Sequence, residues 1–65
     1  MMTGDKIRVA RAMKRITQEQ LAEKAGISRV TLRKIENGQT KNMSIKTAMS
    51  IADALGLPLE FLLYD

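Results

Sequence analysis

Sixty-five residues make one domain, and a chain this size buries only about 60% of the surface its unfolded form exposes, so association with a second copy would help its small core. It holds no Cys and no His, which removes thiol chemistry, disulfide staples and the usual zinc-site patterns and suits a reducing cytoplasm. No signal peptide or membrane span is expected. The net charge is +4, unevenly placed: residues 1–46 hold all 11 Lys and Arg against four acids, and residues 47–65 hold three acids and no base. The basic two-thirds suits a polyanion, and the acidic, apolar end suits a partner subunit.

The first helix is expected over about residues 4–14, with Thr3 as its cap and Met2 stapled onto Ile7. Ile7, Ala10 and Met13 are its inward positions, while Lys6, Arg8, Lys14 and Arg15 look outward. Arg11 falls on the apolar side, where a charge should not be left alone.

In the stretch TQEQLAEKAGISRVTLRKIENG, residues 17–38, Thr17 followed three positions later by Gln20 is a capping box and opens the second helix. Ile16 can staple onto Leu21. Leu21, Ala22 and Ala25 form an apolar stripe, Glu19, Glu23 and Lys24 face solvent, and Gly26 supplies the left-handed residue that stops the helix.

The third helix restarts at once behind Ser28, a good N-cap, with Ile27 able to staple onto Leu32. Leu32 and Ile35 face inward and Gly38 ends the helix. The outer face is Arg29, Val30, Arg33, Lys34 and Asn37, with Ser28 at the tip. That set is suited to reading DNA: Arg can make two parallel hydrogen bonds to the O6 and N7 edge of guanine, and Val30 can pack on a thymine methyl. Helix, Gly-containing turn, helix is the helix-turn-helix motif.

The polar loop that follows carries Gln39, Lys41 and Asn42, which with Asn37 would lie along the phosphate backbone and fix register without reading sequence. Ser44 caps a fourth helix with Ala48, Ile51, Ala52 and Leu55 at core spacing and Gly56 as its stop. Pro58 suits the first turn of a short fifth helix. That helix carries more apolar surface than it can hide. Leu59 and Leu62 are assigned to the core; Phe61, Leu63 and Tyr64 are candidates for a two-fold interface.

The residues Thr17, Gln18, Leu21, Ala22, Gly26, Ser28, Leu32, Ile35, Glu36, Asn37 and Gly38 resemble the helix-turn-helix of the phage lambda-type repressor and Cro family, also called the xenobiotic-response-element family. The likeness runs from Ile7 to Leu63. It implies an all-α, compact five-helix fold over residues 1–65, a lambda repressor-like DNA-binding domain. It also implies that Arg11 pairs with Glu36, locking the third helix to the first, and that Gln18 contacts a phosphate and buttresses the polar residue at position 29. Here that residue is Arg29, which predicts guanine preference. Two positions depart from the family: Arg15 stands where Gly is usual, and Ala10 stands where a larger aliphatic is usual, leaving room for Met13 or Met49 to fill.

The expected function is a sequence-specific DNA-binding transcriptional regulator, a repressor that binds a near-palindromic operator as a homodimer, cytoplasmic and nucleoid-associated, of prokaryote or phage origin. Ser28, Arg29, Val30, Arg33 and Lys34 form the base-edge set, and Thr17, Gln18, Asn37, Gln39 and Lys41 the phosphate set. No metal, cofactor, small-molecule substrate or catalytic residue is expected. With no Gly-rich phosphate loop and its carboxylates scattered, the chain is a poor enzyme candidate. The competing expectation is a protein-binding module, such as a small antitoxin or phage-type antagonist, that keeps the fold but holds another protein.

Overall fold

The computed structural model describes residues 3–40 and 43–63, so Met2, Lys41, Asn42 and Tyr64, to which roles were assigned from sequence, lie outside the described residues. Five helices occupy the rest: α1 Thr3–Met13, α2 Gln18–Ala25, α3 Arg29–Glu36, α4 Ile45–Leu55 and α5 Glu60–Leu63. The architecture is all-α. Each helix delivers at least one side chain to a common core, with Ile7, Leu21, Leu32, Ile51 and Leu55 fully buried and Leu62 nearly so. α2 packs chiefly on α4 and α3, while α1 lies across α3.

The helix ends are set by local chemistry. Thr17 Oγ1 accepts from the Gln20 amide at 3.0 Å, and Gln20 Oε1 accepts from the Thr17 amide at 2.8 Å, completing the capping box. Gly26 then turns left-handed at φ 71. Ser28 and Ser44 each accept from the backbone N–H three residues on, and Gly56 closes α4 at φ 69.

Several expectations are corrected. Thr3 is the first residue of α1 and not its cap; its hydroxyl donates to the Leu62 carbonyl at 3.2 Å, tying α1 to α5. Met13 is 79% exposed and Met49 54% exposed, so neither fills the space beside Ala10. The reason is angular. At about 100° per residue, Met13 falls outside the arc that Gly4, Ile7, Ala10 and Arg11 share, and Met49 falls outside the one that Ala48, Ile51, Ala52 and Leu55 share. Gly38 ends the third helix as expected, turning left-handed at φ 75 just past the cap residue Asn37. Pro58 precedes α5 and does not enter it; its carbonyl accepts from the Phe61 amide at 3.0 Å. Leu59 is only half-buried.

Two features of α1 fix its seat. Gly4 is buried, and a Cβ there would stand on the carbonyl oxygens of Ile35 and Glu36, 2.7 Å from the latter. The start of α1 therefore rests directly on the last turn of α3. At the other end Arg15 adopts φ 57, the left-handed region. An L side chain there meets its own carbonyl, at a cost of roughly 1–2 kcal/mol. The turn keeps its shape because Arg11 brackets it: its carbonyl accepts from the Ile16 amide at 3.2 Å, and its Nη1 donates to the Ile16 carbonyl at 3.1 Å.

Candidate nucleic-acid interface

The outer face of α3 follows from its sequence, RVTLRKIE. Leu32, Ile35 and Glu36 are buried on one side. On the other, Arg29, Arg33, Asn37, Val30 and Lys34 fan over roughly 140° at 100° per residue, and all are exposed. The only acid of the helix is Glu36, which is turned inward. The exposed face is thus wholly cationic and polar around one apolar residue, Val30. Among the described residues Arg29, Arg33 and Lys34 have no ion-pair partner. These three cations give the face a positive potential that attracts anions.

Glu36 anchors this face. Its Oε2 accepts from Arg11 Nε at 2.9 Å, and its Oε1 accepts from Arg11 Nη2 at 3.1 Å, the two-pronged arrangement that guanidinium and carboxylate favour. Glu36 is 3% exposed. A third donor reaches the same carboxylate: Gln18 Nε2 lies 3.1 Å from Glu36 Oε1. The first residue of α2, the last of α3 and the apolar side of α1 are thereby held at one point.

The other residues singled out from sequence divide by what their polar groups already do. Ser28 Oγ accepts from the Thr31 amide and donates to Thr31 Oγ1 at 2.9 Å, so its hydroxyl is occupied by capping. Thr17 uses its oxygen as an acceptor and its amide as a donor within the capping box, which leaves its hydroxyl hydrogen for an outside acceptor. The Gln18 amide bonds Glu36 and not Arg29. Asn37 and Gln39 are exposed beside the end of α3, the Gln39 backbone N–H donating to the Lys34 carbonyl at 2.8 Å. Lys41 lies outside the described residues.

Away from this face, α4 and α5 expose Ile45 (57%), Met49 (54%), Phe61 (38%) and Leu63 (46%). Phe61 and Leu63 were singled out from sequence, with Tyr64 beyond the described residues. Ile45 and Met49, four residues apart on one side of α4, are exposed as well. Ile45 and Leu63 rim the same groove, which also takes in Met43 and Leu62. Lys6 covers part of Phe61, its Nζ 5.7 Å from the ring centre and donating to the Phe61 carbonyl at 3.1 Å. Among the described residues no helix is long and apolar enough to cross a membrane.

A helix-turn-helix family model, of the Cro/C1 repressor type, matches residues 7–62. An HTH-type transcriptional regulator of Methanocaldococcus jannaschii, MJ0272, is 41% identical over 56 residues, covering 86% of this chain and 83% of the relative. The immunity repressor of Bacillus phage phi105 is 42% identical over 57 residues, covering 88% of this chain but 39% of the repressor. The chain therefore spans most of the first relative and well under half of the second. In structure it is similar to the DNA-binding regulator SinR, solved in complex with DNA: TM-score 0.92 and 32% identity, over 97% of this chain and all of that one.

Proposed function

The chain belongs to the helix-turn-helix family of transcriptional regulators, and from that premise we propose that it is a repressor that reads double-stranded DNA by laying α3 in the major groove. The observation that carries this reading is the cationic face of α3, from Arg29 to Lys34, without an ion-pair partner among the described residues and held on a buried ionic anchor. Arg29 and Arg33 offer forked donors to guanine edges, and Val30 offers an apolar contact to thymine. Ser28 sets where the helix starts, and Lys34 approaches the groove wall. Thr17, Gln18, Asn37, Gln39 and Lys41 grip the phosphates on either side. DNA bound to the SinR relative supports this choice of ligand.

The operator is a near-palindrome read by a homodimer, acting in the cytoplasm of a prokaryote or phage-infected cell. The exposed Phe61 and Leu63, with Ile45 and Met49, are the apolar groups offered to the second copy; Tyr64, assigned to the same interface from sequence, lies outside the described residues. Selection of binding sites from a random duplex pool tests the reading. It should recover half-sites whose centres lie about 10 base pairs apart. If no sequence is enriched, α4 and α5 serve a different protein and the chain is a partner-binding module.

A further inference from the structure

Glu36 Oε1 accepts two hydrogen bonds, from Arg11 Nη2 and from Gln18 Nε2, each 3.1 Å. Arg11 alone would satisfy the ion pair, so the second donor needs its own explanation. A carboxylate can only accept. The Gln18 amide can therefore meet it with its NH2 end and no other, which removes the freedom to flip that an exposed glutamine has. One amide N–H is held by Glu36; the second has no partner among the described residues. Gln18 is also the first residue of α2, where backbone N–H groups lack helical partners and the helix dipole favours an anion.

We infer that Glu36 is a positioning residue for the DNA backbone: it holds the Gln18 side-chain amide so that the free N–H is presented to a phosphate oxygen. This rests on the DNA-binding reading above. Glu36 is too buried to touch DNA and acts through Gln18. Were the amide to flip, its oxygen would face the phosphate, acceptor against acceptor, and the contact would be lost. The same carboxylate thus fixes the angle of α3 through Arg11 and the grip at the start of α2 through Gln18.

The test separates positioning from mere structural support. Arg11→Met with Glu36→Leu removes both charges of the pair together, a replacement that is often neutral for stability and leaves the net charge unchanged. Binding of a short random-sequence duplex is then measured at low salt for the wild type, for Gln18→Ala, for this double variant and for the triple combination. Gln18→Ala and the double variant should each lose roughly tenfold or more in affinity, the scale of a hydrogen bond to a charged group. The triple combination should lose no more than the double variant, because Gln18 without Glu36 has no fixed amide left to lose. The salt slope should not change, because a neutral donor displaces no counterion. A folded double variant that binds as well as the wild type, or losses that multiply in the triple combination, would overturn the inference.

A second measurement needs only the wild type. Nitrogen-15 spectra should show one Gln18 side-chain amide proton slow to exchange and little moved by duplex, and its partner exchanging freely and shifting on titration. Equal exchange of the two rejects the inference whatever the DNA result. A wild type that binds no duplex at low salt while keeping unequal amide protons rejects instead the DNA reading on which the inference stands.

Discussion

Arg11 and Glu36, 25 residues apart in sequence, meet through two hydrogen bonds of 2.9 and 3.1 Å with the carboxylate almost entirely out of water. Removing Arg11 alone leaves the Glu36 carboxylate buried without its counterpart, a loss of roughly 3–5 kcal/mol. A domain of this size has on the order of 3–10 kcal/mol in total. Arg11→Ala should therefore lose a large share of the domain's stability, read as a marked fall in the midpoint of urea unfolding. A well-folded Arg11→Ala variant with ordinary urea resistance would show that the pair is not the anchor described.

Gly4 makes a sharper statement about packing. By helix propensity alone, Gly4→Ala should stabilise α1 by up to about 1 kcal/mol. The added methyl would, however, meet the Ile35 and Glu36 carbonyls, and backbone cannot step aside as a side-chain end can. The net effect should be a loss of about 1–3 kcal/mol, read from the midpoint of urea unfolding. A rise in stability would mean that α1 does not rest on the end of α3.

Arg15 predicts the opposite sign. Its left-handed backbone is a conformation that glycine adopts without the Cβ clash. Arg15→Gly relieves roughly 1–2 kcal/mol of strain against a gain in unfolded-state freedom of about 0.4–1 kcal/mol. The variant should be more stable by about 0.5–1 kcal/mol, seen as a higher melting temperature. An unchanged or lower one would place the turn in another conformation.

Much of this was legible before any coordinates. Thr17, Gln20, Gly26, Ser28, Ser44 and Gly56 are cap residues whose chemistry acts within one turn of chain, so a short stretch of sequence suffices to read them. The cationic face of α3 was equally readable, since one helix's period decides which of its residues share a side. What escaped was what depends on two elements meeting. Gly4 reads as an ordinary helix start until α3 is laid beneath it. The bond from Gln18 to Glu36, 18 residues away, is likewise invisible until α2 and α3 are packed together. Met13 and Met49 were drawn inward by hydrophobicity, but their angular positions exclude them.

The apolar surface of α4 and α5 gives a prediction about assembly. Phe61→Ser with Leu63→Ser removes two exposed apolar groups and leaves the buried Leu62 in place. Sedimentation should show a dimer for the wild type and a monomer for the variant, with the variant's affinity for a two-half-site operator reduced and its helical content retained. Equal sedimentation of the two at the same concentration would move the interface elsewhere.

Whether α3 reads bases or merely carries charge is decided most directly at Arg29. Affinities of the wild type and Arg29→Ala should be compared on a selected operator and on a random duplex in the same buffer. On the operator the variant should lose about 1–3 kcal/mol, with preference relaxed at one base pair. On the random duplex it should lose far less. An equal loss on both would contradict the account, leaving α3 a cationic surface and the reading of sequence to some other part of the chain.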